Sequence, residues 1–213
     1  RAAADGYTIC IGASSSNAIH AAVFKALPYD LLTDFTPLFY IGGSANVIVA
    51  PSNAPFNTIP ELVRYAKTNP KALSFASSGN GTSGHIGGEL FNQMAKVEFL
   101  HVPYKGGAPA VTAAIGGQTT IMVGNISNVE AHIAQGKLKA LAVTSDKREP
   151  TLPSVPTVAE SGFPGYAVQN WYGFFAPANM PANLTAAPYA RMRAAAELPE
   201  VKAFLEKRGI TPA

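Results

Sequence analysis

Residues 73–85 read LSFASSGNGTSGH, and they give the clearest indication of the fold class. Leu73 to Ala76 form a short apolar strand, the serines, glycines and Asn80 form a turn, and a predicted helix begins at Thr82 and runs to Lys96. Glycines in such a turn permit positive φ and allow a ligand to approach the main chain closely. A strand that leads through a polar turn into a helix is the repeating unit of an α/β sheet.

The same alternation continues on both sides of this stretch. Short apolar strands that alternate with helices predict a mostly parallel sheet with helices on both of its faces. The Pro-rich segment after Pro150 is predicted to be a loop with one short helix at Val158 to Ser161, and Pro188 to mark the start of the helix that follows Pro181. The other predicted strands are Tyr7–Ile11, Asn46–Ala50, Phe99–Val102, Thr119–Val123, Leu138–Val143 and Trp171–Ala176, and the other predicted helices are Ala18–Lys25, Thr58 to just before Pro70, Ala108–Ile115, Val129–Gln135 and Leu198–Lys207.

Composition excludes several classes of protein. With 47% hydrophobic and 14% charged residues the 213-residue chain is not disordered, and no apolar run approaches the ~18 residues of a membrane span. The net charge of +3 is spread along the chain, so nucleic acid is not an expected partner. The single cysteine, Cys10, is expected to be a buried small hydrophobe. The four histidines are scattered, with no pair at i, i+4, so neither a metal nor a cofactor is expected.

Four polar turns follow predicted strands and supply the candidate site, namely residues 14–17, 77–85, 103–107 and 124–128. In open α/β sheets ligands bind beyond the carboxyl ends of the strands, where helix N-termini present unpaired N–H groups to an anion. Because these turns are small, polar and almost uncharged, they predict a cradle for a carboxylate. The candidate ligand-binding residues are Ser14, Ser15, Asn17, Ser77, Ser78, Gly79, Asn80, Thr82, Ser83, His85, Tyr104, Lys105 and Asn125.

Sharper chemical motifs fit the sequence poorly. Residues 79–84 match G-x-G-x-x-G, but the next strand ends without the acidic residue of a dinucleotide site. A G-x-S-x-G elbow is absent, and no carboxylate is evidently placed to orient a catalytic histidine. An enzyme is therefore disfavoured; if the protein were one, His85, Tyr104 and Lys105 would be its candidate titratable groups.

Seven short motifs recur in the order of a known family. They are DGYT at 5–8, LPYD at 27–30, DFTP at 34–37, LSFASSGNGTS at 73–83, HVPYKG at 101–106, LAVTS at 141–145 and LPSVPTVAE at 152–160. Together they resemble the Bug family, the periplasmic solute receptors of tripartite tricarboxylate transporters. The resemblance extends from Asp5 to about Gly209.

The resemblance implies a two-lobed α/β periplasmic binding protein of the type II, Venus-flytrap class. Lobe one would comprise residues 1–49 and 171–213, and lobe two residues 50–170. Members of the family begin upstream of Arg1 with a further strand and an anion-binding loop. Lobe one is therefore expected to lack its first βα units in this sequence. Such a protein would be secreted to the periplasm and would be a monomer. This sequence does not include a signal peptide. The protein would capture a small carboxylate in an interlobe cleft and deliver it to the membrane subunits of the transporter.

Other functions remain open at this point. An enzyme of the same two-lobed architecture could act on a small organic acid, and a ligand-sensing domain could serve a signalling partner. The ligand itself could be a di- or tricarboxylate, an acidic amino acid or an aromatic acid.

Overall fold

The structure is a computed structural model that describes residues 2–70 and 73–213, and it consists of strands and helices in alternation. A π-helical turn at Ser15–Ile19 precedes the first α-helix. The strands are β1 (Cys10–Ala13), β2 (Phe35–Pro51), β3 (Ser74–Ser77), β4 (Leu100–Pro103), β5 (Ile121–Asn125), β6 (Leu138–Val143), β7 (Gln169–Pro177) and β8 (Thr211–Pro212). The helices are α1 (His20–Val23), α2 (Ile59–Thr68), α3 (Ser83–Ala95), α4 (Gly107–Ile115), α5 (Ile126–Ala134), α6 (Ala182–Ala196) and α7 (Pro199–Glu206).

The chain divides into two compact units. Unit 1 comprises Arg1–Ser44 with Asn170–Ala213, and unit 2 comprises Ala45–Gln169. The strand β2 contributes its first part to unit 1 and its second part to unit 2. The lobe boundaries predicted from the sequence, 49/50 and 170/171, stay a prediction.

Unit 2 contains a five-stranded sheet in the order β6, β2, β5, β3, β4. β3 is parallel to β4 and to β5, whereas β2 is antiparallel to both β5 and β6. Because β5 and β6 are both antiparallel to β2, the strands β3, β4, β5 and β6 all run in one direction. The sheet of unit 2 is therefore mostly parallel, as predicted, and β2 is the strand that departs from this direction. Successive side chains of β2 point to opposite faces of the sheet. Ile48 packs with residues of α2 and α3 on one face, and Val47 packs with residues of α4 and α5 on the other. The predicted helices on both faces are found in this unit.

Two helices of unit 2 begin where hydroxyl side chains cap them. Thr58 accepts a hydrogen bond from the N–H of Glu61, and Pro60 occupies the first turn of α2. Thr82 likewise accepts from the N–H of His85 at the start of α3, which ends at Lys96 in the left-handed conformation. Such caps satisfy N–H groups that have no partner within the helix, so both helix starts could be predicted from the sequence.

Glycines bring α3 close to the sheet. A Cβ at Gly84 would lie under 3.0 Å from the carbonyl oxygen of Val123 in β5, and a Cβ at Gly88 would overlap the ring of Phe75 in β3. These two positions therefore fix the distance between α3 and the sheet.

Unit 1 departs from several sequence predictions. Its β1 pairs antiparallel with β7, and its part of β2 pairs antiparallel with β8. Pro188 lies inside α6 and does not mark its start, because the helix already begins at Ala182, directly after Pro181. Cys10 is exposed on the edge strand β1, not buried.

Two further local predictions also need correction. Residues 158–161 form hydrogen-bonded turns and no helix, with the N–H of Ser161 donating to Thr157 O. Residues 14–17, predicted as a polar turn, belong to the start of the π-helical turn Ser15–Ile19. Within residues 2–70 and 73–213, no helix combines the length and the apolar character needed to cross a bilayer.

Candidate ligand site

The candidate site lies at one edge of the unit 2 sheet. The parallel strands β3, β4 and β5 end there at Ser77, Pro103 and Asn125. Because β2 is antiparallel to β5, its Asn46 pairs with Asn125 at the same edge. The topology therefore brings three of the predicted turns together, those that begin at Ser77, Pro103 and Gly124.

The turn between β3 and α3, residues 77–82, is held by its own hydrogen bonds. The buried hydroxyl of Ser77 accepts from the N–H of Gly79 at 3.1 Å and donates to Gly79 O at 3.2 Å. The hydroxyl of Thr82 also donates to Gly79 O, at 2.8 Å. Gly79 and Gly81 have φ of +136° and +71°, which residues with a Cβ rarely adopt. This segment, the glycine loop, is thus held in shape by hydrogen bonds within itself.

The N-terminus of α3 presents main-chain donors beside the glycine loop. The N–H of His85 is bonded to the Thr82 hydroxyl and that of Ile86 to Thr82 O. The N–H groups of Ser83 and Gly84 have no hydrogen-bond acceptor among the residues that the structure describes. The first N–H groups of a helix carry its partial positive charge, and residues 77–85 contain no acidic side chain. This end of α3 can therefore bind an anion.

Asn46 is a site residue that the sequence analysis missed. It is fully buried, its Oδ1 lies 3.4 Å from the hydroxyl of Ser83, and its main-chain N–H donates to the Thr144 hydroxyl at 3.1 Å. Its Nδ2 has no acceptor within the described parts of the chain. The sequence places Asn46 at the start of a predicted strand. Asn46 reaches the edge of the sheet where β3, β4 and β5 end only because β2 is antiparallel to β5.

His101 is the second residue that was missed. Its ring stacks on that of His85 with 4.1 Å between centroids, and its Nε2 lies 2.7 Å from the hydroxyl of Ser77. The other ring, that of His85, accepts at Nδ1 from the N–H of Gly81 at 3.2 Å. Burial, and then the positive charge that His85 can carry, lower the pKa of His101 to about 4. His101 is therefore neutral at neutral pH.

The same two histidines lie next to a carboxylate, and together the three side chains are of the types that ligate metals. Ligand atoms of His85, Glu89 and His101 all lie within 4.8 Å of one another. Because Nδ1 of His85 accepts a hydrogen bond, the neutral ring carries its hydrogen on Nε2 and has no lone pair left for a metal. The two rings are also nearly parallel, at 18°, so their in-plane lone pairs do not converge on one point. The donor set as it stands does not fit a metal ion.

The remaining predicted residues of unit 2 have mixed surroundings. Ser83 is buried, Ser78, Tyr104 and Asn125 are half-buried, and Asn80 and Lys105 are exposed. The main chain joins two of the turns, because Tyr104 N–H donates to Ser77 O and Gly106 N–H to Ser78 O. Tyr104 also packs on the apolar cluster beneath α4 and α5, so its ring has a structural role.

The predicted residues of unit 1 lie in its own π-helical turn. The buried hydroxyl of Ser14 is hydrogen-bonded to Oδ1 of Asn170 in β7, and the hydroxyl of Ser16 to Oδ1 of Asn17. Ser15 and Asn17 are half-buried. A cavity of about 620 Å³ in the same unit is lined by Cys10, Tyr29 and Phe35 among others, and it includes none of the predicted residues.

A family model supplies the decisive comparison. The model described as "Tripartite tricarboxylate transporter family receptor" matches residues 1–213, which is the whole chain. The chain belongs to this receptor family. The resemblance stated from the sequence motifs is thereby confirmed.

Individual relatives agree with this assignment. The "UPF0065 protein in tcbD-tcbE intergenic region" of Pseudomonas sp. (strain P51) is 37% identical over 214 residues, covering 100% of this chain and 63% of its own length. The structure of R. palustris Rpa4515 with adipate superposes with a TM-score of 0.94 at 32% identity, over 100% of this chain and 71% of that one. MatC (Rpa3494) from Rhodopseudomonas palustris with bound malate gives a TM-score of 0.88 at 30% identity, over 99% and 72% of the two chains.

These matches confirm the α/β periplasmic-binding-protein fold of this family member. They also show that the receptor chain described here spans less than two thirds of the length of its curated relative from Pseudomonas. The individual ligand-binding residues named from the sequence stay predictions.

Proposed function

We propose that the protein is a periplasmic receptor that binds a small carboxylate and delivers it to the membrane subunits of a tripartite tricarboxylate transporter. The observation that carries the proposal is the N-terminus of α3, where the N–H groups of Ser83 and Gly84 lack acceptors beside an acid-free glycine loop. A carboxylate would provide the missing acceptors. The family description, which is that of a receptor and not of an enzyme, supports the same function.

A dicarboxylate is the ligand class that we favour. The two structural relatives reported above hold adipate and malate, which each carry two carboxylates on a short aliphatic chain. In this receptor one carboxylate would occupy the α3 N-terminus, and the hydroxyl of Ser78 would lie beside it. The protein would act as a monomer.

The proposed mechanism is capture without covalent chemistry. Transfer of a carboxylate from water requires that its hydration shell be replaced by donors of fixed geometry. Hydrogen bonds from main-chain N–H groups to a charged oxygen are stronger than neutral ones, so no arginine is needed at the site. The donors at Ser83 and Gly84 belong to α3 and the adjoining glycine loop is held by its own hydrogen bonds, so little conformational entropy would be lost on binding.

Calorimetry with adipate and malate tests this function, using the pair Ser78→Asp and Ser78→Asn. The aspartate adds a negative charge next to the proposed anion site, and repulsion of about 1–4 kcal/mol at roughly 4 Å weakens binding by about fivefold or more. The asparagine has nearly the same shape without the charge and serves as the control. If both variants bind adipate and malate as the unmodified receptor does, the α3 N-terminus is not the carboxylate site. If the unmodified receptor binds neither acid, the proposed dicarboxylate class is wrong.

A further inference from the structure

Two stacked imidazoles hold the two ends of the glycine loop. His101, from β4, contacts the hydroxyl of Ser77 at the start of the loop. His85, from the first turn of α3, accepts from the N–H of Gly81 near its end. The rings lie 4.1 Å apart at 18°, and Phe75 stacks on His101 with centroids 4.7 Å apart. The loop is thus held between two side chains that support each other.

The hydrogen bonds favour one nitrogen of each ring as the carrier of its hydrogen. Nε2 of His101 and the Ser77 hydroxyl can bond in either direction, but a Ser77 hydroxyl that donates to Gly79 O, 3.2 Å away, accepts from His101, whose Nε2 then carries hydrogen. His85 accepts at Nδ1, so its hydrogen is also on Nε2. In the neutral pair the loop therefore needs a donor at Nε2 of His101 and an acceptor at Nδ1 of His85.

We propose that His85 and His101 are positioning residues that hold the glycine loop in the conformation that receives the carboxylate, through these two ring nitrogens and without touching the ligand. This proposal rests on the proposed function, because it assigns a role within the same site. It also replaces the sequence expectation that His85 itself contacts the ligand. Gly81 is buried with positive φ, so its main chain has little freedom once the His85 bond is formed.

Amide side chains that imitate one ring nitrogen at a time provide a crossed test. Asparagine places its Oδ1 where Nδ1 of a histidine lies, and glutamine places its amide where Nε2 lies. His85→Asn therefore keeps the acceptor for Gly81, whereas His85→Gln removes it. At the other position His101→Gln keeps the donor for Ser77, and His101→Asn removes it.

We expect asparagine to preserve ligand binding at position 85 and glutamine to preserve it at position 101. We expect His85→Asn and His101→Gln to bind adipate within about threefold of the unmodified receptor, and His85→Gln and His101→Asn to bind about tenfold more weakly or worse, since a buried group loses its partner. If all four variants lose affinity alike, the rings act directly on the ligand or on a metal, and the proposal is overturned. If all four keep it, the rings do not position the loop.

A readout without ligand separates this proposal from the function on which it rests. Hydrogen exchange of the Gly81 amide is expected to be slow in the unmodified protein and in His85→Asn, and fast in His85→Gln. Nitrogen-15 shifts of the unmodified full chain are expected to show Nε2–H on both rings, and Nδ1–H on either ring overturns the proposal even if a variant fails to fold. If adipate and malate do not bind while exchange and tautomers are as expected, the dicarboxylate function fails and the anchoring role of the histidines stands.

Discussion

Replacement of Gly84 by alanine tests the packing of α3 that positions the candidate site. The added Cβ would lie under 3.0 Å from the carbonyl oxygen of Val123, a backbone atom of the central strand β5 that cannot rotate away. Overpacking of this kind costs about 3 kcal/mol at the upper end of its usual range, and the better helix propensity of alanine returns at most about 1 kcal/mol. We expect the free energy of unfolding to fall by about 2 kcal/mol.

Gly87→Ala, in the same helix, is the matched control. Its Cβ would lie 3.2 Å from the hydroxyl of Tyr166, a side-chain atom that needs to move by only a few tenths of an ångström. The helix-propensity gain of up to about 1 kcal/mol then offsets most of the steric cost. Urea denaturation of both variants at pH 7 measures the difference. If Gly84→Ala is as stable as Gly87→Ala, α3 does not approach β5 as described.

Gly84→Ala also tests whether the packing of α3 against β5 affects ligand binding. To relieve the overlap, the first turn of α3 must move away from β5, and the N–H groups of Ser83 and Gly84 move with it. We expect the affinity of the folded variant for adipate to fall by about tenfold, which corresponds to about 1.4 kcal/mol. An unchanged affinity in a destabilised variant would place the ligand elsewhere.

Three further predictions concern stability. Thr58→Ala removes the side-chain cap of α2 and is expected to cost about 1 kcal/mol in urea denaturation, whereas Thr58→Ser keeps the cap and most of the stability. Tyr166→Phe removes the 2.9 Å hydrogen bond from the buried hydroxyl to Gly87 O and is expected to lower the free energy of unfolding by about 1 kcal/mol. An increase in the free energy of unfolding would argue against that hydrogen bond. Because the pKa of His101 is about 4 in the folded protein against an ordinary 6.5, the unfolded chain binds more protons between these values. Stability is therefore expected to fall as pH decreases from 6.5 to 4 and to fall less in His101→Gln, and equal slopes for both proteins would show that His101 is not the group responsible.

Local sequence signals predicted the fold of unit 2 well. Thr58 and Thr82 mark the starts of α2 and α3, because their hydroxyls cap free N–H groups whatever the tertiary structure. The strand β2 was predicted only from Asn46 to Ala50, although it begins at Phe35. Pro37, Gly42 and Gly43 lie in the missed part, and these residue types weaken a strand pattern that only pairing with neighbouring strands restores.

The candidate site could be predicted only in part for a related reason. The glycine loop is continuous in sequence and carries its own composition signal, so it was found. Asn46 reaches the edge of the sheet where β3, β4 and β5 end because β2 is antiparallel to β5. The direction of a strand leaves no local signal in the sequence, so Asn46 was not predicted. His85 and His101 are 16 positions apart and stack only because β4 lies beside β3, below the start of α3.

Backbone amide spectra recorded during a titration with adipate test the central claim most directly. If the N–H groups of Ser83 and Gly84 hold the carboxylate, their amide proton resonances move downfield and saturate together with the binding isotherm, and the Ser78→Asp variant needs at least about fivefold more adipate for the same movement. If adipate binds while these two resonances stay in place, and the shifts fall instead around the unit 1 cavity at Tyr29 and Phe35, the N-terminus of α3 is not where this receptor holds its ligand.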